Sequence, residues 1–263
     1  MAGSLQTTYG RQGNTVKQDN KSSKADYSLY MTSAEEYDRI RFSGWAGNWG
    51  HKRQIDILHG LADDWHAKKV LEIGCGTGRV TEMLLRWGAD VTATDISKPM
   101  LDVARKRLSV IPDHSKCTLR EMCIFDIDIN LECYDYIVMI NVLGRLTNAQ
   151  IALMNIASRM TAGTHLVFTF PCLTSLLLPF GLLVNARGRS LYRNATSHWY
   201  RPKTIRRMCE AAELTILQFH GNHYVPVPRL LFWTLPVFWS FEKMLASRFP
   251  LRCPSVFAIC KPV

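Results

Sequence analysis

Ten residues, Val70 to Arg79, constrain this chain more than any others: they read Val-Leu-Glu-Ile-Gly-Cys-Gly-Thr-Gly-Arg. Lys69, Val70, Leu71 and Ile73 give the apolar, β-branched signal of a strand buried on both faces, as a parallel sheet requires. Gly74, Gly76 and Gly78 then permit positive φ and let a ligand pass against the backbone without Cβ interference. Val80 to Trp87 predicts a helix whose N-terminus opens at that turn and attracts electron-rich groups. A second strand, Val91 to Thr94, ends at Asp95. An acid at a strand tip about twenty residues past a glycine turn is where dinucleotide folds hold a ribose diol. The unit predicts a nucleotide-type cofactor site.

The spacing separates two kinds of nucleotide cofactor. A dinucleotide turn reads G-x-G-x-x-G and leaves room for a pyrophosphate, whereas this turn reads Gly-x-Gly-x-Gly behind Glu72. A carboxylate there repels a pyrophosphate and suits a cationic ligand. Leu71 to Arg79, followed by Asp95-Ile96-Ser97 and Met100-Leu101, resembles the class I S-adenosylmethionine-dependent methyltransferases. The resemblance implies an α/β, Rossmann-like fold with a seven-stranded, mostly parallel sheet, the last strand antiparallel, and helices on both faces. It implies S-adenosyl-L-methionine as cofactor, with Glu72 helping to hold the methionine end and Asp95 the ribose hydroxyls. Gly74, Cys75, Gly76, Gly78, Ile96 and Met100 complete that part of the expected site.

The rest of the chain alternates in the same way. Arg53 to Leu61 carries an apolar stripe at helical spacing, and His51 and His59 read as helix-surface residues rather than ligands. Lys98 to Leu108 predicts a helix with Pro99 in its first turn. Strands are predicted at 118–123, 134–140, 165–170, 214–219 and 255–260. In many members of the resembling family an Asp stands where this chain has Cys123 and accepts from the adenine amino group. Cys123 is a weaker acceptor, so adenine recognition is expected to lean on Ile124 and Phe125. Asn141, at the end of the fourth strand, faces the crevice in which open α/β sheets bind ligands. Some members carry a histidine near Arg145, and this chain has none there.

Candidates for the acceptor side come from two places. In the resembling family a leading helix folds over the pocket, which nominates Tyr37 and Arg41. Tyr200 is added from the basic stretch downstream, where His198 is the candidate general base because histidine titrates near neutrality.

At 263 residues, with 47% apolar residues, the chain can build one methyltransferase domain over 27–263, with inserts at about 171–207 and 223–252. Residues 1–26 read as a disordered polar tail without the apolar core of a secretory signal. The eight cysteines contain no C-x-x-C pair, lie in apolar contexts and read as reduced core residues of an intracellular, cytoplasmic protein, with no metal site. An apolar block, Leu173 to Val184, precedes Arg187, Arg189, Arg193, Arg201, Lys203, Arg206 and Arg207, and a second insert carries five Trp/Phe residues between Phe232 and Phe241. Neither block reaches the roughly 20 residues of a membrane span. Together they pattern as a lid over a lipophilic acceptor, or as a peripheral contact with an anionic membrane surface. The net charge of +10 clusters beside these apolar segments rather than on an aromatic platform, which disfavours nucleic acid. The inserts make the chain similar to quinone-pathway and other small-molecule O-methyltransferases. N-methylation of a small amine, and a non-catalytic partner subunit of the same fold, are the alternatives; the oligomeric state stays open.

Overall fold

The computed structural model describes residues 34–42, 45–112, 114–176, 198–222 and 235–263. The expected polar tail, Tyr27 to Ser33, most of the Leu173 to Val184 block and the first part of the aromatic insert lie outside these residues. The elements run α1 (Ala34–Phe42), α2 (Trp45–His59), β1 (Lys69–Ile73), α3 (Arg79–Arg86), β2 (Asp90–Asp95), α4 (Lys98–Leu108), β3 (Cys117–Glu121) and β4 (Tyr136–Met139). They continue as α5 (Ala149–Ala157), β5 (His165–Pro171), α6 (Pro202–Ala211), β6 (Leu214–Gly221), α7 (Leu235–Arg248) and β7 (Ser255–Pro262).

The strands form one sheet in the order β3-β2-β1-β4-β5-β7-β6. β1 pairs in parallel with β2 and β4, which pair in parallel with β3 and β5. β7 runs antiparallel between β5 and β6, so the predicted seven-stranded, mostly parallel sheet is the observed one. Side chains of a strand alternate between faces, and the core divides accordingly. Leu71, Ile73, Ile137, Met139, Leu166, Phe168 and Phe170 pack on one face with α5 and α6. Val70, Val91, Ala93, Val138, Val167 and Phe257 pack on the other with α2, α3 and α4. Phe168, Phe170 and Phe257 are fully buried, and each such side chain contributes about 1.5–3 kcal/mol by leaving water.

Several boundaries differ from expectation: β4 is shorter, Tyr136–Met139, and β7 longer, to Pro262. α2 begins at Trp45, eight residues before the predicted start, because glycines at 47 and 50 hide the helical stripe. A Cβ on Gly47 would meet the Arg41 carbonyl oxygen at 2.1 Å, so the glycine lets α2 turn tightly off α1. β3 stops at Glu121, so Cys123 lies beyond the strand rather than in it. β6 continues to Gly221. The cysteines are all free, and Cys75, Cys172, Cys209, Cys253 and Cys260 are buried as expected, but Cys133 is exposed.

Candidate active site

The glycine turn hangs from the tip of β2. The Gly74 and Cys75 amides donate to the Thr94 carbonyl at 2.7 and 2.9 Å, and the Gly76 amide donates to Asp95 Oδ2 at 2.8 Å. All three glycines have positive φ, of 75°, 54° and 77°, a region that costs other residues energy. They differ in what surrounds them. A Cβ on Gly74 would meet Val142 Cγ2 at 2.4 Å and one on Gly78 would meet Ala104 Cβ at 3.0 Å, whereas one on Gly76 would meet nothing within 4 Å. Gly74 and Gly78 are therefore packed against protein, and Gly76 opens on the cleft.

Two acids flank the turn. Glu72 is buried, accepts from the Thr81 hydroxyl at 2.6 Å, and is pushed up to about 7, first by burial. Asp95 accepts from the Ser97 amide at 2.9 Å as well as from Gly76. Burial raises its pKa while those amides oppose the rise. Burial also pushes the Cys75 thiol up, which leaves it a neutral wall of the cleft.

The cleft, with about 1140 Å³ of empty space including its open mouth, is lined by Glu72, Gly74, Cys75, Gly76, Asp95, Ile96, Met100, Cys123, Ile124 and Asn141. Ten of the twelve residues nominated for the cofactor thus meet in one cavity. Gly78 and Phe125 do not line it. Gly78 packs against α4, and the Phe125 carbonyl accepts from Asn155 Nδ2 at 3.4 Å. Asn141 reaches the cleft by a left-handed turn, φ 60°, with its amide donating to Thr169 Oγ1 at 2.7 Å.

Tyr37 and Arg41 also line the cavity, brought there by α1. Beside them stand Phe42, His51 and Gln54, which the sequence did not single out for the pocket. Gln54 donates to Asn141 Oδ1 at 3.3 Å, bridging α2 to the end of β4. His51, expected on the helix surface, is half-buried in the cleft with its ring 5.3 Å from that of Phe42. Its pKa is lowered to about 4, first by burial and then by the Arg79 and Arg107 charges, so the imidazole is neutral. Arg145, noted only for the absence of a histidine nearby, lines the cavity too.

His198 and Tyr200 are not among the lining residues. The His198 amide donates to the Gly144 carbonyl at 2.7 Å and its side chain is exposed. The Tyr200 hydroxyl donates to the Leu143 carbonyl at 3.3 Å, bracing the loop after β4 from behind. His198 and Tyr200 therefore support the site's back wall and do not enter the cleft, while Arg187, Arg189 and Arg193 lie outside the described residues. No group of three His, Cys, Asp or Glu side chains suited to a metal occurs among the described residues.

The residues present fit an adenosine-type cation: a glycine with open space above it, an acid at a strand tip, and a buried acid beside the turn. Comparison with known proteins agrees. Residues 71–166 match the family model described as "Methyltransferase domain". Over that span the chain is similar to the class I, S-adenosylmethionine-dependent methyltransferases. The chain is 25% identical over 178 residues to the ubiquinone biosynthesis O-methyltransferase of Vibrio vulnificus, covering 66% of this chain and 75% of that one. It is likewise 25% identical over 171 residues to the mitochondrial ubiquinone biosynthesis O-methyltransferase of Rattus norvegicus, covering 63% and 50%. In fold it is similar to magnesium protoporphyrin IX methyltransferase of Synechocystis, solved with bound SAH, with a TM-score of 0.65 and 17% identity, covering 93% of this chain and all of that one.

Proposed function

We propose that the methyltransferase methylates a hydroxyl oxygen of a small, lipophilic acceptor. The observation that carries this reading is the distribution of charge in the cleft. Among the described residues its two acids, Glu72 and Asp95, lie at the glycine turn, while Arg41, Arg79 and Arg145 are the other charged lining groups. A cationic acceptor, such as a protonated amine, would face those arginines, whereas the developing charge of a deprotonated hydroxyl is stabilised by them. Phe42, Ile140, Val142 and Leu146 supply apolar wall for the body of the acceptor. The names of the Vibrio vulnificus and Rattus norvegicus relatives support the same reaction type.

When bound, S-adenosylmethionine supplies an electrophilic methyl group. What remains for the chain is to hold the acceptor in line, exclude water and receive a proton. Glu72, Gly76, Asp95, Ile96, Met100, Cys123 and Ile124 would hold the cofactor. Neutral His51 accepts the acceptor hydroxyl's proton and passes it on to solvent, the general-base role that sequence position had assigned to His198. The cations that depress its pKa favour the acceptor's anion equally, so a strong base is not needed. The free cysteines support a reducing intracellular setting.

The test is transfer of labelled methyl to matched panels of phenols and amines. Label on phenolic oxygen is expected. Exchanging His51→Gln should lower turnover roughly a hundredfold, the usual scale of a positioned proton acceptor, with S-adenosylhomocysteine affinity unchanged. His198→Gln should leave turnover as it is. Label confined to amine nitrogen overturns the reading.

A further inference from the structure

We infer that a surface groove between β6 and the turn Pro250–Arg252 docks the methyltransferase on an anionic membrane surface. The purpose of such docking rests on the proposed lipophilic acceptor; the surface itself does not. Among the described residues β6 is the outer strand of the sheet and pairs only with β7. Its register shifts between Ile216 and Gln218, so Leu217 is the unpaired residue of a bulge and is 48% exposed. Bulges on edge strands normally serve to end pairing, and here the bulge turns an apolar side chain to solvent. Across the groove, Phe249 is 53% exposed just after α7.

Three cations surround these apolar groups. Arg206, from α6, stands 4.9 Å over the ring of Phe219, and Arg248 lies 5.9 Å from the ring of Phe249. Arg252 is the third, and no Asp or Glu lines the groove among the described residues. Exposed Leu and Phe interleaved with arginines, without a counter-charge, match the boundary of a bilayer bearing anionic headgroups. There the apolar tips enter the acyl margin and the guanidinium groups meet lipid phosphate. An acidic protein partner would satisfy the arginines but leave exposed Leu217 and Phe249 without an apolar complement, so the membrane is the better fit.

The position of the groove gives the docking a use. The Leu176 amide donates to the Arg252 carbonyl at 3.1 Å and the Cys172 amide to the Pro254 carbonyl at 3.0 Å, tying the segment after β5 to this turn. Leu176 is itself 64% exposed. The C-terminal end of β5 meets the start of β7 there, Pro171 opposite Ser255. The C-terminal ends of the parallel strands also carry the glycine turn after β1 and Asn141 after β4. Adsorption through this corner therefore brings the sheet edge that bears the cleft close to the bilayer, where a lipophilic acceptor partitions.

Flotation of the full chain with vesicles tests the inference, comparing phosphatidylcholine alone with phosphatidylcholine containing a third phosphatidylglycerol. The wild type should float with the anionic vesicles at low salt, fade as salt rises, and stay unbound with neutral ones. Each arginine near such a surface contributes about 1 kcal/mol, or roughly fivefold in partitioning. Arg252→Gln should therefore weaken binding about fivefold, and Arg206→Glu/Arg248→Glu/Arg252→Glu together by at least a hundredfold. Leu217→Ser with Phe249→Ser, which keeps every charge, should also weaken it. Thermal melts and S-adenosylhomocysteine calorimetry on each variant show that fold and cofactor site persist, which separates failure here from failure of the catalytic reading. Wild-type protein left unbound at low salt overturns the inference. So does binding that is equal for neutral vesicles, unchanged in the arginine variants, or indifferent to the two serine exchanges, the last outcome indicating a general polyanion contact.

Discussion

Thr77 donates its hydroxyl to Asp38 at 2.7 Å, joining the glycine turn to α1, the helix that carries Tyr37 and Arg41 into the cleft. The same carboxylate receives Arg107, which also donates from Nε to the Thr77 carbonyl at 2.8 Å. Arg79, 3.8 Å from Asp38, lies 4.2 Å over the ring of Phe42. One carboxylate thus binds the cofactor turn, α4 and the acceptor wall into a single arrangement.

Removing that carboxylate should loosen the wall. Asp38→Ala is expected to weaken S-adenosylhomocysteine binding by about 1–3 kcal/mol, the usual cost of losing hydrogen bonds to a charged group. Amide exchange across 34–42 should speed up in step. Calorimetry and hydrogen exchange check both effects. Unchanged values would mean that α1 is held by packing alone.

Much of the cofactor half was legible because its parts are consecutive: strand, glycine turn, helix, strand and acid fall between Val70 and Asp95. Local order of that kind survives in sequence as periodicity and spacing. His51, Gln54 and Asp38 left no such signal, since they reach the site only by α1 and α2 folding across the strand ends. Gly47 and Gly50 further hid the start of α2. His198 and Tyr200 failed to enter the cleft for the opposite reason. They stand in a conspicuous stretch of sequence, yet their backbone amides donate to the Gly144 and Pro171 carbonyls and hold these two residues behind the loop.

Asp95 holds the turn before it holds any ligand, through the Gly76 and Ser97 amides. Asp95→Ala should therefore weaken cofactor binding by about 1.5–3 kcal/mol and also lower the melting temperature of the ligand-free protein. Asp95→Asn, which keeps one acceptor oxygen, should fall between. A variant with a lower melting point but wild-type S-adenosylmethionine affinity would confine Asp95 to a structural role.

The three glycines should separate by experiment as they do by surroundings. Gly76→Val meets open space in the ligand-free protein, so a cooperative melt should persist, lowered by roughly 1–2 kcal/mol for the positive φ, while cofactor binding disappears. Gly74→Val would drive a side chain into Val142 and should destabilise the fold itself by more, as overpacking does. Differential scanning calorimetry with and without S-adenosylhomocysteine distinguishes the two. Equal thermal losses would place both glycines in the same role.

Glu72 makes cofactor binding depend on pH. Its pKa stands at about 7 in the folded chain against 4.5 as an ordinary glutamate, because burial disfavours the charged form. A raised folded pKa means that the protonated group contributes stability that is fully present below pH 4.5. That contribution declines as pH rises toward 7 and is gone above it, roughly 3 kcal/mol in all. A cationic ligand reverses the preference, because it stabilises the carboxylate. S-adenosylhomocysteine, which keeps the cofactor's ammonium group, should therefore bind more tightly as pH rises from 6 to 8 and release up to one proton per site near pH 6. Calorimetry in buffers of different ionisation enthalpy measures that proton directly. Glu72→Gln should abolish both the proton release and the pH slope of affinity, and should flatten the loss of stability between pH 5 and 7. A slope that survived this exchange would mean that another group titrates, and that Glu72 does not face the ligand's charge.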